Sequence, residues 1–121
     1  MKNAVGGVEL SSMAKGFEAV DAMLKAAAVE LILSRTICPG KFIVLIAGEV
    51  GDVQAAVEAG SSRAQEALVD KFVIPNVHPA VFPAISLAVM LEPSATQALG
   101  VIETFSAASA IEAADAAVKA A

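Results

Sequence analysis

Residues 98–121 repeat residues 4–27 at a constant offset of 94, with no gap. Ala4-Val5-Gly6-Gly7-Val8-Glu9 corresponds to Ala98-Leu99-Gly100-Val101-Ile102-Glu103, and residues 18–27 correspond to 112–121. Alanine-rich helices resemble one another through composition alone. Here Gly6, Glu9, Glu18, Asp21 and Lys25 recur as Gly100, Glu103, Glu112, Asp115 and Lys119, so duplication is the better account. The chain is accordingly expected to hold one complete domain at 1–90 and a linker at 91–97 around Glu92-Pro93-Ser94. Residues 98–121 would be the first strand and helix of a truncated second domain, unable to bury an apolar face alone.

Within the first copy, residues 4–10 read as a strand, with Gly6-Gly7 marking a close approach of another backbone. Ser11-Ser12 offers an N-cap. Met13, Phe17, Val20, Leu24 and Ala27 then step by four and three, the period of an amphipathic helix. Asp21 and Lys25 lie on its other face. Residues 29–36 and 41–47 are β-branched and aliphatic and read as two strands. Asp52 is expected to cap a second helix with Val53, Val57, Gly60, Ala64 and Leu68 on one side, Gly60 packing against the sheet. Residues 71–75 give a fourth strand and 79–87 a short helix, limited by Pro83. Strand, helix, strand, strand, helix, strand is the order of an α+β, ferredoxin-like antiparallel sheet with both helices on one face.

The hairpin between the second and third strands carries Ile37-Cys38-Pro39-Gly40-Lys41 and the single cysteine of the chain. Pro39-Gly40 suits a type II turn, proline at the first corner and glycine at the positive-φ position after it. One thiol per chain closes neither a disulfide nor a multi-cysteine metal site. A loop beside a rotation axis gains one copy of each side chain per subunit, so the value of Cys38 depends on assembly.

Composition favours assembly. Apolar residues make up 57% of the 121, mostly Ala, Val, Ile and Leu, with no Trp or Tyr. The longest near-continuous apolar run, residues 42–48, is far short of the ~20 residues that cross a bilayer, and no basic-then-apolar leader opens the chain. A hydrophobic chain without a membrane span is expected to be cytoplasmic and to bury surface against other subunits. A net charge of −5 with scattered basic residues argues against the phosphate backbone of a nucleic acid as partner. One His, one Cys and no paired acids on a cleft-forming loop supply no catalytic constellation, so no enzyme is expected.

Gly100 to Thr104, Glu112 to Ala121 and Val73-Ile74-Pro75-Asn76-Val77-His78-Pro79 together resemble bacterial microcompartment shell proteins. Leu10-Ser11-Ser12-Met13-Ala14-Lys15-Gly16, Asp21-Ala22-Met23-Leu24-Lys25 and Thr36-Ile37-Cys38-Pro39-Gly40-Lys41-Phe42 are similar in particular to the tandem-domain, trimeric members found in propanediol-utilisation compartments. The resemblance implies a pseudohexagonal tile that packs with other shell proteins, a homo-oligomer (trimer, alternatively hexamer). It places residues 37–41 at a central pore. It further implies a [4Fe-4S] cluster shared between subunits, with Cys38 of each as metal ligand, for electron transfer across the shell. Lys41 close by would favour the thiolate. Edge contacts carry over to Lys25, Asn76 and His78, although most relatives have Arg where this chain has Asn76. The alternatives are a pore for small metabolites in which Cys38 is a free thiol, and an oligomeric small-molecule-binding regulatory domain.

Overall fold

The computed structural model describes residues 3–121, so the first two positions of the expected 1–90 domain lie outside the described residues. Four strands, β1 (Ala4–Leu10), β2 (Glu30–Ile37), β3 (Lys41–Gly48) and β4 (Leu68–Ile74), form one antiparallel sheet in the order β2-β3-β1-β4. This is the α+β arrangement anticipated from the element order. The fourth strand begins three residues earlier than the sequence suggests, because a short 3-10 turn at Gln65–Ala67 delivers the chain directly into pairing with β1.

Helices α1 (Met13–Ala26) and α2 (Val50–Ala64) cover one face of the sheet. Side chains alternate across a strand, and Ala4, Val8, Leu10, Phe42, Val44 and Ile46 meet Ala19, Met23, Val53, Ala56 and Val57 there. Two expectations need correction at these helices. Glu49 occupies the N-cap of α2 with no side-chain capping hydrogen bond to the helix, and Asp52 lies inside the first turn, where its charge complements the helix dipole. Gly60 packs against helix α1, not the sheet: a Cβ there would lie 2.6 Å from the Met23 sulfur.

The stripe that α1 buries also differs. Gly16, Ala19 and Met23 face inward, while Met13, Phe17 and Leu24 are exposed. Small residues let α1 and α2 approach closely, so the bulkier apolar positions are turned to the outside.

The opposite face of the sheet is covered by α3 (Val81–Ile85) and α4 (Ala107–Ala120). Val5, Ile43, Leu45, Phe72 and Ile74 pack there against Val77, Val81 and Ala108, with Ile111 and Val118 alongside. The repeat is visible as structure. Ser12 caps α1 by accepting from the Lys15 N–H, and Ser106, 94 residues on, caps α4 by accepting from the Ser109 N–H. The strand expected ahead of α4 does not form. Residues 98–103 join no sheet, and Leu99, Val101 and Ile102 are exposed.

Candidate functional site

The hairpin between β2 and β3 presents Cys38 as an exposed free thiol. Gly40 adopts the positive φ of 72° that its position required, and the Cys38–Pro39 peptide is cis. Ile37 anchors one end of the loop by packing on the α4 face of the sheet. Lys41 anchors the other: its Nζ lies 2.7 Å from Glu9 Oε2. The ammonium expected to favour the Cys38 thiolate is thus committed to a carboxylate.

Glu9 is fully buried, and its two oxygens are both used. Oε2 accepts from Lys41, and Oε1 accepts from the Ala108 N–H at 3.0 Å, in the first turn of α4. Directly across β4 from Glu9 stands Asp70. Its Oδ2 accepts from the hydroxyls of Ser106 (2.6 Å) and Ser109 (3.1 Å). Two neighbouring carboxylates therefore grip the N-terminus of one helix, where free N–H groups and the dipole favour negative charge. The Ser106 hydrogen bond holds the Asp70 carboxyl below its ordinary range, outweighing partial burial, with help from the Lys71 N–H and Ser109.

The other end of α4 is fastened by Asp115 and Lys119. Asp115 Oδ1 accepts from the His78 N–H at 2.8 Å, and Lys119 Nζ reaches both Asp115 Oδ2 and the Asn76 carbonyl at 2.6 Å. Burial raises the Asp115 carboxyl, but the Lys119 and His78 hydrogen bonds and the Lys119 charge more than offset it and leave it below its usual range.

Asn76 and His78, expected at an edge, are therefore brought together with Lys119 and Asp115 through their backbones. Lys25 is elsewhere, on α1, paired with Asp21 at 2.8 Å on an exposed surface. Glu9, Asp70, Ser106 and Asp115 escaped the sequence reading as site residues, although Glu9 and Asp115 both lie within the repeat that it identified. Among the described residues no group of three or more His, Cys, Asp and Glu side chains could hold a metal ion. One copy of the chain offers a single free thiol, Cys38.

A four-stranded antiparallel sheet with this helix order, extended by a repeat of its opening unit, defines a bacterial microcompartment shell module. The BMC domain profile matches residues 4–77 and 98–121, and the chain belongs to that family. It is 52% identical over 120 residues to the bacterial microcompartment shell protein PduT of Citrobacter freundii, a match that spans 99% of this chain and 64% of that protein. It is 38% identical over 87 residues to a carboxysome shell protein of Hydrogenovibrio crunogenus, covering 69% of this chain and 85% of the relative. A solved microcompartment protein from Desulfitobacterium hafniense DCB superposes with a TM-score of 0.79 at 46% identity, over all of this chain and 66% of that one. The chain therefore spans about two thirds of the length of the Citrobacter freundii and Desulfitobacterium hafniense proteins. Both curated relatives are shell proteins, of a bacterial microcompartment and of a carboxysome. No helix among the described residues is long and apolar enough to cross a membrane.

Proposed function

We propose that the chain is a shell tile assembled head to tail around a pore, through the contact that α4 makes in this structure. One observation carries this reading: α1 and α4 are repeats of one helix, yet they bury opposite faces. Helix α4 seats Ala108, Ile111, Asp115 and Val118 on the sheet. Their counterparts on α1 are Ala14, Phe17, Asp21 and Leu24, all exposed. Phe17 is 65% exposed while its ring leans on Phe42 at a centroid distance of 5.4 Å, so the outward face is held in position. The Asp21–Lys25 pair repeats Asp115–Lys119, already formed and without a seat. Helix α1 thus carries one half of a contact whose other half lies on another shell domain. Such a heterologous contact repeats around a ring if its rotation closes, as a trimer of tandem chains or a hexamer of single domains. On this reading Lys25, Asn76 and His78 belong to the contacts between neighbouring domains, and further contacts join the tile to other shell proteins.

In a ring of this kind the residue 37–41 loops line the pore, and each Cys38 supplies one thiolate to a shared [4Fe-4S] cluster. Thiolates are the usual ligands of such clusters, and an exposed cysteine at a hairpin tip is free to meet its symmetry copies. The cluster would supply one-electron transfer across the shell. The chain's own contribution is placement: Ile37 and the Lys41–Glu9 ion pair tie down the two ends of the loop. With Lys41 engaged, a pore without a cofactor is the second reading.

Two experiments test these statements. A variant ending at residue 90 loses α4, opens the seat and keeps α1, so it is expected to form a ring by sedimentation velocity, which Phe17→Glu disperses. A monomeric 1–90 variant of native far-UV circular dichroism would refute the contact. For the cofactor, anaerobic reconstitution of the assembled protein is expected to give a brown product whose visible absorbance is lost in Cys38→Ser. A colourless, iron-free product supports the open pore instead.

A further inference from the structure

Glu9 bonds to both the Cys38 hairpin and helix α4. Side chains alternate along a strand, so Val5 and Glu9 of β1 share the α4 face of the sheet with Lys41, Ile43 and Leu45 of β3. From that face one carboxylate joins Lys41, 32 positions away, to the Ala108 N–H, 99 positions away. Ile37, paired with Lys41 across the corner, packs on the same cluster as Ala108. Both ends of the corner are therefore held from the side of the sheet that α4 covers. Cys38, Pro39 and Gly40 between them are exposed, and a Cβ at Gly40 would meet no atom within 4 Å beyond its chain neighbours. Strand β2, which leads into the corner, is an edge strand paired to β3 alone, with a register shift between Leu31 and Leu33.

The strength of the Lys41 tether depends on what covers it. Under α4, Glu9 has no solvent exposure and the Lys41 side chain retains 20%, so the charges meet where water competes poorly for either. With the helix lifted, the carboxylate loses the Ala108 N–H and its cover. Water then reaches both charges, and the pair becomes the exposed kind that contributes little. Phe42, buried on the opposite face, keeps β3 in the sheet in either case, so what is released is the corner.

We propose that Glu9 is a positioning residue that couples the hairpin to the seat: the Cys38 corner holds its place while α4 is down and loosens when α4 lifts. Such coupling is reciprocal, so a corner fixed from outside in turn holds the helix down. In a pore, the placing of Cys38 would then follow the contact between domains, a consequence that rests on the assembly proposed above. The coupling itself needs neither ring nor cluster.

Cys38, the single cysteine of the chain, takes a nitroxide spin label without any other mutation. The label is read in the full, metal-free chain, diluted with unlabelled protein so that neighbouring labels do not broaden the spectrum. Asp115→Lys lifts the helix from its far end by setting a cation against Lys119 and the His78 N–H. The expected result is faster amide exchange in residues 107–120, unchanged exchange in residues 50–64, and a label that tumbles at least about twofold faster. In a Glu9→Gln background the tether is already weakened, so Asp115→Lys is expected to add less than about half of that change. An unchanged label over an opened helix would overturn the proposal. So would an equal increment in both backgrounds, which would tie the loop to the helix by another route. Should residues 50–64 also open, Lys119→Met, which removes only the bonds to Asp115 and the Asn76 carbonyl, carries the test with the same outcomes. Failure to form a ring or to take up iron leaves each of these results as decisive as before, so the two proposals fail separately.

Discussion

The ion pair between Glu9 and Lys41 is asymmetric, and its two ends should respond differently to mutation. Glu9 has no solvent exposure, whereas the Lys41 side chain retains 20%. Lys41→Met leaves a carboxylate buried with one backbone N–H as its remaining hydrogen-bond partner, and stranding a buried charge costs about 3–5 kcal/mol. Glu9→Gln is gentler. The amide oxygen still accepts from the Ala108 N–H, and Lys41 turns toward water, so the loss is that of a charged hydrogen bond, about 1.5–3 kcal/mol. Combining both replaces the pair by groups without charge, and the double variant should be no less stable than Lys41→Met alone. The assay is urea unfolding followed by far-UV circular dichroism, since the chain has no Trp or Tyr to report by fluorescence. If Lys41→Met costs no more than Glu9→Gln, or if the two costs simply add, the buried carboxylate is not what the pair protects and the reasoning fails.

Two further outcomes follow from the same contacts. Asp70 and Asp115 both have folded values below the ordinary 3.8. Their stabilisation of the α4 seat is therefore complete above the unfolded value and disappears as pH falls through the lower folded values. Amide protection in α4, corrected for intrinsic exchange, should hold from neutral pH down to about 4 and collapse below it; loss already near pH 6 would contradict the assignment. In α1, Gly16 lies against the buried Phe42 ring, which a Cβ would penetrate. Gly16→Ala is expected to cost about 1–3 kcal/mol by overpacking, read as a lower urea midpoint with unchanged slope, and a neutral effect would mean that Phe42 has room to move.

Much of the fold is legible along the chain because it is set locally. Ser12 before Met13, the β-branched runs on either side of Pro39-Gly40 and the helical step from Val53 to Ala64 each declare an element within a few residues. Boundaries shift where pairing decides them, as at β4. The α1 stripe shows a different limit. Two apolar faces coexist on that helix, one of Gly16, Ala19 and Met23 and one of Met13, Phe17 and Leu24. Periodicity finds the larger side chains, but the closeness of α2 selects the smaller ones.

The candidate site divides in the same way. Cys38 and its turn stand out in the sequence, as does the repeat of Asp21 and Lys25 in Asp115 and Lys119. The seat does not, because its bonds join residues remote from one another: Ala108 to Glu9 across 99 positions, Ser106 to Asp70 across 36 and Lys119 to Asn76 across 43.

By itself the sequence determined the order of elements, the duplication of the strand–helix unit and the family, since these rest on local periodicity, turn chemistry and an offset that can be counted. Only the tertiary structure decided which face each copy of the helix buries, that Lys41 serves Glu9 before Cys38, and that residues 98–103 lack a sheet. Identical helical patterns are equally compatible with either face until a neighbour is present. The choice depends on side-chain volume and charge supplied from far along the chain.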